Sequence, residues 1–173
     1  MTELRDDDIL MIRHAHSNAN RFYHAGMLLP GQKDFHLTPK GREQAEQLGD
    51  DLRIRFGENM GKMAVAASTF ARTQETAALA GFQTINTYPQ LDEIMDSSPW
   101  KASIQFAKRN FQQARDLAVH NLLTNMPEEN IWFSHGFLMS DLMKASGRER
   151  KYILIANTEI VEFSRDELAK IDS

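Results

Sequence analysis

The chain predicts an α/β fold, a three-layer α/β/α sandwich built on a mostly parallel central sheet. Three observations carry that expectation. Short apolar runs of β character alternate with amphipathic helical stretches along the chain. The apolar runs ILMI, MAVAA and IWF have no polar face, as strands covered by helices on both sides require. Residues able to do chemistry gather just after these runs, where open α/β sheets bind ligands.

The elements follow in order. Ile9 to Ile12 is a buried strand. After a loop containing Pro30-Gly31, LTPKGREQAEQLGDDLRIRF opens a helix with Thr38 as N-cap and Pro39 at the first helical position, and Ala45, Leu48, Leu52 and Phe56 form its apolar stripe. Met63 to Ala67 is the second strand, and Arg72 to Ala80 a helix that Gly81 stops. Thr84 to Thr87 is a third, less apolar strand. A long helix from about Ser103 to Leu123 carries Ile104, Ala107, Phe111, Ala114, Ala118 and Leu122 on one side, and Pro127 ends that region. Ile131 to Phe133 is the fourth strand, Phe137 to Ala145 the next helix with Gly147 beyond it, and Glu159 to Phe163 a last strand with clean alternation. Neither an internal repeat nor an interdomain linker interrupts the order, so residues 1–173 are expected to form one domain.

Composition narrows the function classes. With 173 residues, 42% hydrophobic and 25% charged, the chain is large enough to bury a core of its own. The net charge of -4 and the absence of a basic run disfavour nucleic acid as a partner. Without cysteine there is no disulfide, thiolate metal site or thiol nucleophile. The acidic run Asp6-Asp7-Asp8 contradicts a secretory signal and no segment is apolar enough to span a bilayer, so a cytoplasmic protein without membrane contact is expected. Oligomeric state is not legible.

Four strand exits carry polar residues: Arg13-His14, then Ser68 with Arg72, then Asp92-Glu93, then Ser134-His135-Gly136. Together these types suit a phosphate monoester. Two guanidinium forks can neutralise a phosphate dianion without a metal. A histidine attacks phosphorus only as neutral imidazole, and neighbouring arginines favour that form. A carboxylic acid must protonate the leaving alcohol; Glu93 is the best placed, with Asp92 and Asp96 as alternatives.

Five segments, RHAHSNAN from Arg13 to Asn20, LTPKGREQA, STFARTQETA from Ser68, LDE ending at Glu93, and SHG at Ser134 to Gly136, together resemble the histidine phosphatase superfamily, which includes the phosphoglycerate mutases. The resemblance implies a phosphoglycerate mutase-like fold and a reaction without a cofactor. It implies His14 as the nucleophile, Arg13, Asn20, Arg72 and His135 around the phosphate, Glu93 as proton donor and His135 in the catalytic set. The substrate would be a phosphorylated small molecule, or a phosphoprotein. The chain is short for a mutase, which favours a phosphatase hydrolysing monoesters through a phosphohistidine; phosphoglycerate mutase-type transfer is the alternative. Leaving-group selection is expected from the loop between Phe22 and His36, with Phe22, Tyr23 and Phe35, and from Trp100.

Two departures bear on this. Ala15 replaces the glycine of the best-known members, which would cost roughly 1 kcal/mol if that position had positive φ. The segment after Glu93 lacks the glycine common in the mutases, which leaves a catalytically weak phosphate-binding module as another reading. A third reading takes His14 and His16, on one strand face, as metal ligands, but Arg13 and Arg72 would repel the cation. Apart from that reading His16, His24 and His36 have no assigned role, and Met139 and Met143 are expected in the core.

Overall fold

The computed structural model describes residues 4–20, 35–93, 104–148 and 155–171, with backbone alone for 104–111. The expectations for Phe22, Tyr23, His24, Pro30, Gly31, Asp96 and Trp100, and for the side chains of Ile104, Ala107 and Phe111, lie outside the described residues. Strands β1 (Asp8–Arg13), β2 (Ala64–Ala67), β3 (Thr84–Thr87), β4 (Ile131–Ser134) and β5 (Ile160–Ser164) form a single sheet in the order β3-β2-β4-β1-β5. All pairings are parallel except that of the edge strand β5, which runs antiparallel to β1.

Helices cover both faces. One layer packs Leu48 and Leu52 of α1 (Pro39–Phe56) and Ala77 of α2 (Ala71–Leu79) on Leu10, Ile12, Val65, Ala67, Ile131 and Phe133. The other packs Val119 and Leu122 of α3 (Ile104–Thr124) and Leu138, Met139 and Leu142 of α4 (Gly136–Ala145) on Ile9, Met11, Ala66 and Trp132. The strands alternate between these two layers, the period-2 geometry that made β1 and β4 read as unbroken apolar runs. Met139 and Met143 are in this core, as expected.

The ends of α1 follow their residue types. Thr38 Oγ1 accepts from the Gly41 N–H at 3.1 Å, Pro39 takes the first turn, and Gly57 terminates the helix at φ 82°. The sequence reading did not include α5 (Arg165–Ala169), although Ser164 and Glu167 form a capping box at its start. Among the described residues no helix is long and apolar enough to cross a membrane.

Register positions the chemistry. Arg13 sits opposite Ser134, and Ala67 opposite Phe133. The exits of β1, β2 and β4 therefore lie level, side by side at the carboxyl edge, and His14, Ser68 and His135 emerge together.

Candidate active site

His14 is the first residue past β1 and only 4% exposed. Its Nδ1 lies 2.7 Å from the Ala15 carbonyl, an acceptor, so this nitrogen carries the proton. Nε2 is then a bare lone pair, and it accepts from Arg72 Nε at 3.2 Å. Burial, followed by the Arg72 guanidinium, holds His14 well below the ordinary histidine pKa. The ring is a neutral imidazole with its lone pair turned into the cluster.

The loop behind His14 is tied down at every residue. Ala15 N–H donates to Thr76 Oγ1 at 3.0 Å, His16 N–H to Gln44 Oε1 at 2.9 Å, and Asn157 Nδ2 to the His14 carbonyl at 2.9 Å. His16 Nδ1 meets Thr38 Oγ1 at 2.8 Å, so its ring braces the start of α1, and the reading of His14 with His16 as metal ligands finds that nitrogen engaged. A Cβ on Gly41 would come within 1.9 Å of the His16 carbonyl oxygen; only glycine lets α1 approach this closely. Ala15 does not adopt positive φ, so the strain expected there is absent: Thr158, at φ 59°, is the described non-glycine residue that does.

Arg72, 2% exposed in the first turn of α2, bridges the two histidines. Besides the His14 contact, Nη2 donates to His135 Nδ1 at 3.0 Å, and the guanidinium carbon lies 4.5 Å over the Phe70 ring. Nη1 is buried with no hydrogen-bond partner. Burial lowers the Arg72 pKa to about 10, opposed by Glu93. His135, fully buried where β4 meets α4, lies edge-on to His14 with ring centroids 5.2 Å apart. Burial first, then Arg72, His14 and Arg13, hold it well below the ordinary histidine pKa.

Arg13 is held by the carbonyl of Ile155, while its Nε is buried and unpartnered. A Cβ on Gly136 would stand 3.1 Å from that Nε, so glycine there keeps room for the guanidinium. Glu93 faces the N-terminus of α4. Burial raises its pKa to about 7, against the opposing pull of Arg72, Arg13 and the Phe137 and Leu138 N–H groups. Its Oε1 is buried without a partner. Asp92 is engaged elsewhere: Oδ1 accepts from Thr69 N–H at 2.7 Å, and Oδ2 from Thr69 Oγ1 at 2.7 Å.

The structure thus brings His14, Arg13, Arg72, Glu93 and His135 into one charged cluster. The described bonds of Asn20 run to Ser17 rather than to these residues: the Ser17 N–H donates to its Oδ1 at 2.9 Å. Phe35 is buried, and His36 is exposed, paired with Glu75. Sequence reasoning missed Thr76 and Asn157, which grip the His14 loop; an ordinary threonine and asparagine carry no local signal for that task.

The profile of the histidine phosphatase superfamily (branch 1) matches residues 9–127, more than half of the chain. The chain belongs to the histidine phosphatase superfamily. Among solved structures it is similar to TTHB049 from Thermus thermophilus, at 20% identity and TM-score 0.64, with 90% of this chain and 92% of that chain covered. It is also similar to the product of open reading frame Rv3214 of Mycobacterium tuberculosis, at 22% identity and TM-score 0.58, with 91% of each chain covered. A phosphoserine phosphatase mutant from Entamoeba histolytica, in complex with phosphoserine, matches at 16% identity and TM-score 0.61, covering 90% of this chain and 89% of that one. At these identities the likeness shows a shared fold. A comparison with curated proteins finds no match.

Proposed function

We propose that this superfamily member is a metal-independent phosphatase that hydrolyses phosphate monoesters through a phosphohistidine on His14. The observation that carries the reading is Arg72: a buried guanidinium joined to His14 Nε2 and His135 Nδ1, with Nη1 uncommitted. A buried arginine with an idle donor between two neutral imidazoles is prepared for an anion.

In the first step His14 Nε2 forms a bond to phosphorus as the ester P–O bond breaks, and Glu93 gives its proton to the departing alcohol oxygen. In the second, water attacks the phosphohistidine, its proton passes to the Glu93 carboxylate, and inorganic phosphate leaves with His14 restored. Arg72 and Arg13, joined by His135 and by Asn20 through its amide N–H, hold the phosphoryl oxygens while charge accumulates on them. A Glu93 pKa of about 7 suits both duties, because each protonation state is accessible near neutrality. Superfamily membership and the phosphoserine phosphatase among the neighbours support a phosphorylated small molecule as substrate, and phosphoserine is the first to try.

Hydrolysis of an activated aryl phosphate in excess EDTA tests the proposal, with wild type compared with His14→Ala. Turnover that survives the chelator and disappears in a folded His14→Ala protein is expected. Turnover that the chelator abolishes, or that persists in the variant, overturns the phosphohistidine route.

A further inference from the structure

The hydrogen bonds around Ser68 assign the His135 protons. Thr73 Oγ1 spends its hydrogen on the Phe70 carbonyl at 2.7 Å, so at its 2.9 Å contact with Ser68 Oγ it accepts. The Ser68 hydroxyl hydrogen is therefore used on Thr73. Both Ser68 lone pairs are left to accept, one from the Phe70 N–H at 3.2 Å and the other from His135 Nε2 at 2.7 Å. His135 Nε2 must carry a hydrogen. Arg72 Nη2, which has only hydrogens to offer, requires Nδ1 to be bare.

This tautomer conflicts with anion binding. The hydrogen on Nε2 is committed to a serine that is itself fully buried, and the other nitrogen presents a lone pair. A phosphoryl oxygen meeting Nδ1 would face electron density. We propose that Ser68 is a positioning residue that locks His135 as the Nε2–H tautomer, so that His135 joins a bound phosphate dianion only by taking a proton from solvent at Nδ1. Anion binding is thereby coupled to the uptake of one proton at His135. In the free protein the charged and titratable groups about the ring are Arg13 and His14 on the β1 side and Arg72 from α2; they oppose its protonation until two negative charges arrive between them. The inference rests on the reading of this cluster as a phosphate site.

Sulfate is a suitable probe, because it remains a dianion across the working pH range and is not turned over. Long-range proton–nitrogen NMR of the intact protein at pH 7 reads each His135 ring nitrogen, with assignment from His135→Gln. Without sulfate, Nε2 protonated and Nδ1 bare is expected; at saturating sulfate, both nitrogens are protonated. Ser68→Ala removes one of the two contacts that impose the tautomer, and once bound sulfate takes the Arg72 donor from Nδ1, the Nδ1–H form becomes accessible without a proton from solvent. The pH dependence of sulfate affinity should then be shallower than in wild type by one proton, about tenfold less change per pH unit. His14, Glu93 and both arginines are common to the two proteins, so their own titration cancels in the comparison.

Ring signals of His135 that stay those of the neutral tautomer at high sulfate overturn the inference, as does an unchanged pH slope in Ser68→Ala. Aryl phosphate turnover, measured beside these, separates the two failures. An active enzyme whose His135 stays neutral loses only this inference; a protein whose His135 gains the proton but which never hydrolyses a monoester loses only the phosphatase reading.

Discussion

Glu93→Gln should make the protein more stable at pH 8 while disabling it. The ionised Glu93 carboxylate is held where burial raises its pKa from 4.5 to about 7. At about 1.36 kcal/mol per pH unit, that displacement corresponds to about 3 kcal/mol of lost stability once the group is ionised in both folded and unfolded chains. The sign follows from proton counting. Between pH 4.5 and about 7 the folded chain holds the Glu93 proton more tightly than the unfolded chain, so its contribution is intact below pH 4.5 and is lost as pH rises through 7. Glutamine mimics the protonated acid, and its amide oxygen can still accept from the Phe137 and Leu138 N–H groups. The assay is urea unfolding of both proteins at pH 4.5, 6 and 8. The variant should match wild type at the lowest pH and exceed it by about 1 to 3 kcal/mol at pH 8, the lower bound allowing for solvent reaching part of the residue. Turnover of alkyl phosphates should meanwhile fall on the order of 10² to 10⁴, the usual contribution of a general acid, with a smaller loss on activated aryl phosphates. A stability difference independent of pH, or a variant less stable at pH 8, would refute the assignment of a buried carboxylate held at a cost.

Three further outcomes follow from the same contacts. With Glu93 as the acid, the fall of log kcat/KM with pH should steepen by one proton, about tenfold per pH unit, as pH rises through about 7, and a profile to pH 9 without that break would remove it from that role. Asp92→Ala should cost about 1 to 2 kcal/mol by releasing the Thr69 N–H and hydroxyl, yet leave that break in place; its loss would move the acid to Asp92. Gly41→Ala would improve a free helix, but here it drives a Cβ into the His16 carbonyl, so thermal denaturation should show a loss of about 1 to 3 kcal/mol, with reduced turnover as the His14 loop shifts. A melting temperature raised by that substitution would show that the contact yields cheaply.

Much of the fold was legible because it depends on local periodicity. Apolar runs such as ILMI and IWF need cover on both faces, and the Ala45, Leu48, Leu52 stripe of α1 needs a sheet to lie on. The first turn of α1 was readable to the residue because Thr38 caps a backbone N–H three positions away and Pro39 brings a fixed φ with no donor to satisfy. The short helix α5 went unread although its capping box is equally local, since five residues are too few to show a period.

By itself the sequence determined the composition of the site, placing His14, Arg72, Glu93 and His135 after successive strands, and parallel register was enough to bring strand ends together. Which nitrogen bears a proton, which acid is engaged and which carries an idle oxygen, and what braces His14 were decided only in three dimensions. Asp92 and Glu93 are adjacent and chemically alike, yet Thr69 occupies one and burial beside α4 raises the pKa of the other. His14 and His16 sit two residues apart, yet one accepts from Arg72 and the other turns to Thr38. Such distinctions depend on partners as distant in sequence as Asn157 is from His14, and on burial, a property of the packed molecule that no single residue carries.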